Sequence, residues 1–238
     1  MVFAHSLACS SAMWKYQVAE FVKQYRVLLF DTRGHGKSDA PKTGYGFDDL
    51  VRDTASLLDA LKIDRPHFVG LSMGGMLAQA FALKHPGRLR SLTIADSVSH
   101  WPPEAAAMFA TRVEQARQQG MGSLTDLFMS RWFTPPFHTS NPADIAEIVQ
   151  MICTTPVDGY AGCSYSIPRI HFTPQLKTID APILVMVGKD DPATTPAMSM
   201  QIHEAAPGSS LVILEDAAHL SNVEQPAAFN NAIIKFLN

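Results

Sequence analysis

Gly70-Leu71-Ser72-Met73-Gly74 matches the pattern G-x-S-x-G, a spacing that can arm a serine hydroxyl as a nucleophile. In that arrangement the serine occupies a strained strand-to-helix turn, and its hydroxyl projects above a sheet. The flanking glycines remove side chains that would collide with neighbouring backbone. The helix that follows directs its positive end at the site. Composition alone yields such a pattern in roughly one chain in ten. Here it follows an apolar run, His67 to Leu71, and opens a small-residue stretch, Met73 to Lys84, which is the context the chemistry requires.

A serine hydroxyl needs a base, and the base needs an orienting acid. On this kind of turn the chain order is Ser, then Asp or Glu, then His. Of nine histidines, His219 is the one that follows the last expected strand, in the loop Asp216-Ala217-Ala218-His219-Leu220. His5, His35, His67, His85 and His203 flank ordinary elements and read as structural or solvated. His100, His138 and His171 are candidates for substrate contact. For the acid, Gly188-Lys189-Asp190-Asp191-Pro192 ends an apolar run. Asp191 is favoured, because its Gly-x-x-Asp placement leaves room for the chain to turn back toward His219. Asp190 and Asp96, the latter just after the fourth strand, stay open, and whichever is unused is a helix cap or a solvated turn.

The elements that must position these groups alternate along the chain. Strands are expected at Val2–Ala4, Val27–Phe30, His67–Leu71, Leu92–Ala95, Ile183–Gly188 and Leu211–Leu214. Between them, Met13–Gln24 carries Trp14, Val18, Phe21 and Val22 on one helical face, and Phe47–Leu61 turns Leu50, Val51, Leu57, Leu58 and Leu61 inward. Helices are also expected at Met73–Lys84, ended by Pro86 and Gly87, at Ala197–Ala205 and at Pro226–Leu237. Continuous apolar strands separated by helices imply an α/β fold with a parallel sheet covered on both faces. From Trp101 to Gln175 the rhythm breaks into an irregular helical block holding Met108, Met121, Met129, Met151 and Trp132. The expected organisation is a core of residues 1–100 and 176–238 with a helical lid, 101–175, over the C-terminal strand ends.

The net charge of −3 and the lack of a basic run argue against nucleic acid as a partner. Cys9, Cys153 and Cys163 are odd in number and share no metal-ligand spacing, which points to buried thiols in a reducing cytoplasm and to no metal. The opening MVFAHSL has no basic leader and is too short to span a membrane. No membrane partner is expected.

Together the motifs resemble the α/β-hydrolase superfamily over nearly the whole chain. Asp31-Thr32-Arg33-Gly34-His35-Gly36-Lys37-Ser38 is similar to its D-x-R-G-x-G-x-S turn, and His5-Ser6-Leu7 stands in place of its His-Gly-x loop, with Ser6 for the usual glycine. The resemblance implies an oxyanion hole from the N–H groups of Leu7 and Met73. Within the superfamily, FAHSLACSSAMW, VLLFDTRGHGKSDAP, GLSMGGMLAQ, RWFTPPF, TTPVDGYAGC and GKDDPATTP resemble 3-oxoadipate enol-lactonases. That likeness implies hydrolysis of a small anionic enol-lactone in aromatic degradation, without a cofactor. An anionic substrate needs a cation, for which Arg131 comes first and Arg169 second, with Trp132 as a pocket wall. The rivals are a broad short-chain carboxylesterase, perhydrolysis or C–C hydrolysis on the same three residues, and a non-catalytic ligand-binding member. Relatives with dehalogenase or epoxide hydrolase chemistry place Asp where Ser72 stands. Relatives also carry a strand hairpin before the VFAHSL strand that this sequence does not show. Its absence would leave the VLLF strand with an open edge, inviting lower stability or pairing into homo-oligomers.

Overall fold

A computed structural model describes residues 1–238. Six strands, β1 (Val2–Ala4), β2 (Leu28–Leu29), β3 (His67–Leu71), β4 (Ser91–Ala95), β5 (Ile183–Gly188) and β6 (Ser210–Leu214), form one sheet. Every pairing is parallel, and the order is β2-β1-β3-β4-β5-β6. Register aligns Phe3 with Val69, Val69 with Thr93, and Ile94 with Val185.

Strand side chains alternate between two apolar layers, as the two-residue strand period dictates. Val2, Phe68, Ile94 and Val185 face one layer, which holds α2 (Phe47–Ala60), α3 (Met73–Lys84) and α9 (Pro196–Ala205). Phe3, Val69, Leu184 and Met186 face the other, which holds α1 (Lys15–Phe21) and α11 (Pro226–Leu237). Between β4 and β5 lie α4 (Ala105–Gln119), α5 (Thr125–Trp132), α6 (Pro135–Ser140), α7 (Pro142–Thr154) and α8 (Val157–Ser166). There α4 packs on α8 and α5 on α7. His100 and His171, at the two ends of this block, meet in a single antiparallel bridge with ring centroids 4.7 Å apart. A short α10 (Ser221–Glu224), which periodicity does not reveal, follows the His219 loop. No helix is long and apolar enough to cross a membrane.

The structure corrects several expected boundaries. The helix expected over 13–24 begins as a 3-10 turn, Ser11–Trp14, and its α-helical part ends at Phe21. Its buried face is Trp14, Gln17 and Phe21, and Val22, one 100° step beyond Phe21, is 54% exposed rather than inward. Gln17 is tolerated inside because its amide donates to Asn222 O (3.0 Å) and Asn230 Oδ1 (3.1 Å). In α2, Leu50, Val51 and Leu58 are buried, whereas Leu57, and Leu61 just past the helix end, are only half-buried. The VLLF strand shrinks to two half-buried residues, Leu28 and Leu29, paired with Val2 and Phe3 of β1, its one neighbour.

Phe21→Ala empties a site where the ring meets Phe3 at 5.9 Å, so we expect it to lower unfolding free energy by about 3–5 kcal/mol. Val22→Ala should change it by under about 0.5 kcal/mol. Urea unfolding of both variants checks the corrected helix face; equal losses would reject it.

Candidate active site

β3 ends at Leu71 and α3 begins at Met73, so Ser72 alone makes the turn between them. It does so at φ 56° and ψ −116°, a conformation that costs a side-chain-bearing residue about 1–3 kcal/mol. Surrounding bonds hold it there. The Ser72 N–H donates to Ala95 O (2.9 Å), and Ser97 Oγ donates to Ser72 O (2.8 Å). A Cβ on Gly70 would stand 2.1 Å from Gly74 O, and one on Gly74 would stand 2.0 Å from Ala4 O. Both positions therefore require glycine. The chain runs outward from β1 to β2 and then resumes on β1's other side with β3. Leu7 and Ser72 thus follow adjacent strands at the topological switch point, where open α/β sheets bind ligands.

The structure brings Ser72, His219 and Asp191 into one hydrogen-bonded chain. His219 Nε2 lies 2.9 Å from Ser72 Oγ, and Nδ1 lies 2.8 Å from Asp191 Oδ2. With Nδ1 protonated and donating to the carboxylate, Nε2 is left to accept the serine proton. All three residues are buried. Burial pushes the Asp191 carboxyl up. The His219 charge and its hydrogen bond, together with the hydroxyl and N–H of Thr194, outweigh burial and hold it below the ordinary carboxylate value. Its Oδ1 also accepts from Ala193 N (2.7 Å) and Thr194 N (2.9 Å).

The other two acids lie elsewhere. Asp190 is exposed. Asp96 is fully buried and accepts from Gly188 N (2.8 Å) and from Ser221 Oγ. Burial first, then the negative charge of Asp191, raises its carboxyl well above the ordinary value, against the pull of those two donors.

Above Ser72 is a cavity of about 230 Å³. Leu7 and His219 lie at its floor, and Phe128 and Trp132 of α5 line its wall. The N–H groups of Leu7 and Met73 have no acceptor within the protein. Trp132 is buried, stacks on Phe128 with centroids 4.6 Å apart, and lies 6.2 Å from the His219 ring. Arg131 also borders the cavity, but its Nη2 donates to Pro192 O at 2.7 Å. Arg169 is exposed and does not reach the cavity, and neither do His100, His138 or His171.

Two charged neighbours of the site carry no distinguishing signal in the sequence. Arg112 of α4 lines the cavity, although its surroundings in sequence read as an ordinary solvated helix face. Glu224 is buried and accepts from Ala218 N (2.8 Å), Thr134 N (2.9 Å) and the Thr134 hydroxyl. The Leu220 N–H donates to Trp132 O (3.0 Å), so the backbone on both sides of His219 is tied down.

A wholly parallel sheet with a serine on a strained turn at its switch point defines a class, and comparison with known proteins agrees. The chain belongs to the α/β-hydrolase family, whose description, alpha/beta hydrolase fold, matches residues 1–226. It is 37% identical over 233 residues to 3-oxoadipate enol-lactonase 2 of Acinetobacter baylyi, covering 98% of this chain and 86% of that protein. The crystal structure of the enol-lactonase from Burkholderia xenovorans is similar at 37% identity and a TM-score of 0.94, over 99% of this chain and 90% of that one. A malate-bound thermophilic esterase from Thermogutta terrifontis is similar at 30% identity and a TM-score of 0.94, over 99% and 88%.

The raised carboxyl of Asp96 has a stability consequence. An unfolded aspartate loses its proton near pH 4. With the folded value higher, folding binds a proton above that pH, and stability falls as pH rises toward the folded value. Asp96→Asn keeps an acceptor for Gly188 N without the ionisation. We expect its urea midpoint to exceed wild type at pH 8 and the gap to close toward pH 4. A variant less stable than wild type at pH 8 would show Asp96 to be needed as a charge.

Proposed function

We propose that the chain is a serine hydrolase that opens a small anionic enol-lactone through an acyl-enzyme. The observation that carries this reading is the Ser72–His219–Asp191 chain at the floor of a small, mainly apolar cavity. His219 Nε2 takes the proton of Ser72 as Oγ bonds to the lactone carbonyl carbon. Asp191 holds the imidazole in the required tautomer and stabilises its charged form. The tetrahedral oxyanion sits between the N–H groups of Leu7 and Met73, each worth about 3 kcal/mol. On collapse the ring C–O bond breaks, and the leaving enolate takes the proton from His219 and later becomes a ketone. Water, deprotonated by His219, attacks the acyl carbon, and Ser72 leaves with its proton restored. Trp132 serves as an apolar wall for the substrate. Helices 101–175 act as the lid that selects it. The lactone itself rests on the similarity to the two enol-lactonases.

A second reading, a broad short-chain carboxylesterase on the same three residues, is favoured by the apolar lining and by the similar Thermogutta esterase. Wild-type kcat/KM for 3-oxoadipate enol-lactone against p-nitrophenyl acetate separates the two, and higher efficiency on the acetate selects the esterase. Ser72→Ala should lower kcat by at least about 10⁴-fold with the fold intact. Asp191→Asn should lower it about 10³–10⁴-fold. Steady-state kinetics on both variants test the assignment, and near-normal turnover in Ser72→Ala would sink it. Labelling of Ser72 by a fluorophosphonate excludes a non-catalytic ligand-binding role.

A further inference from the structure

Arg112 is the feature of the cavity that the hydrolytic chemistry leaves unexplained. It lies on the α4 face that also presents Met108 and Phe109 to the cavity, one helical turn apart. A guanidinium carries five N–H donors. The one hydrogen bond it makes is from Nη2 to the Met108 sulfur (3.2 Å), and its Cζ lies 5.8 Å from the Phe109 ring centroid. It forms no ion pair with any residue of the chain. No aspartate or glutamate lines the cavity. Desolvation holds its pKa below the ordinary arginine value.

A partly desolvated cation with no charged partner, bordering a cavity that holds no acid, costs free energy in the empty protein. Arg33, Arg52 and Arg88 meet carboxylates, and the arginines without such a partner are exposed apart from Arg112 and Arg131. Arg131 is less well placed, since Nη2 is already committed to Pro192 O and the side chain also borders the open groove outside the cavity. We propose that Arg112 is the carboxylate anchor of this cavity and selects esters and lactones that carry a free carboxylate remote from the carbonyl at Ser72. This rests on the hydrolytic reading of Ser72, and it moves the cation expected at Arg131 or Arg169 to α4. A planar guanidinium suits the task because it grips both carboxylate oxygens at once.

The test compares two esters with one leaving group, mono-p-nitrophenyl succinate and p-nitrophenyl butanoate, on the full chain. Arg112→Gln should lower the ratio of kcat/KM, charged over neutral, by about 30-fold, carried mainly by KM for the succinate. Arg112→Lys, which keeps the charge and the stem but not the fork, should lower the ratio by a smaller factor. If the Gln variant does not fold, the Lys variant decides. A ratio unchanged in the folded variants, equal losses on both esters, or a charge-selective loss found in Arg131→Gln alone would overturn the anchor. Wild-type opening of 3-oxoadipate enol-lactone is measured alongside. No opening, with an Arg112-dependent ester ratio, removes the lactone and keeps the anchor. Opening with an Arg112-independent ratio does the reverse.

Discussion

Ser72 sits in a backbone conformation that it would not adopt in isolation, and much of the central sheet is arranged to hold it there. The turn needs Gly74 to lie against the Ala4 carbonyl and Gly70 to lie against the Gly74 carbonyl, both closer than any Cβ allows. That contact fixes α3 over β1 and β3, so the loop after β1 passes beside the turn. The approach that demands glycine therefore also brings the free N–H of Leu7 near that of Met73. On the other side, β4 contributes Ala95 O to the Ser72 N–H and Ser97 to its carbonyl. Strain of this kind persists only where the surroundings over-determine it. Here, three parallel strands and the first turn of one helix do so.

His219 has no regular element of its own. It is positioned by what grips its neighbours, Ala218 through Glu224 and Leu220 through the Trp132 carbonyl. Glu224 also holds Thr134 at the junction of α5 and α6. The helical block and the histidine loop are thus one hydrogen-bonded unit. Displacing α5 would move the imidazole as well as open the cavity. The segment between β4 and β5 is thus tied through hydrogen bonds to the loop that carries His219.

What could be read in the sequence was whatever depends on local periodicity or fixed spacing. The parallel α/β sheet, the ends of all six strands to within a residue, and the Gly70–Gly74 turn all follow from such patterns. His219 could be singled out because chain order leaves one histidine after the last strand. The acid could not be settled, since Asp96, Asp190 and Asp191 all stand at strand ends, and only three-dimensional direction distinguishes them. Arg112 and Glu224 were invisible for a related reason. Each is a charged residue on a helix, and a helix's polar face looks the same whether it meets water or a cavity. Val22 failed in the opposite sense, as an apolar residue whose helix ends before its face is covered.

The two buried carboxyls show how environment separates groups of one kind. Asp191 gathers two N–H donors, one hydroxyl and an imidazole, all of which favour its charge over the cost of burial. Asp96 has one N–H and one hydroxyl, and Asp191's charge lies close enough to oppose its own. Ionising the first therefore discourages ionising the second. The outcome is a negative charge directed at His219 beside a second carboxyl, bridging β4, β5 and the start of α10, whose ionisation is held back. A second full charge there would compete for the imidazolium that forms as a proton leaves Ser72. Burial and the Asp191 charge make Asp96 the less readily ionised of the two, and Asp191 is the one hydrogen-bonded to the histidine.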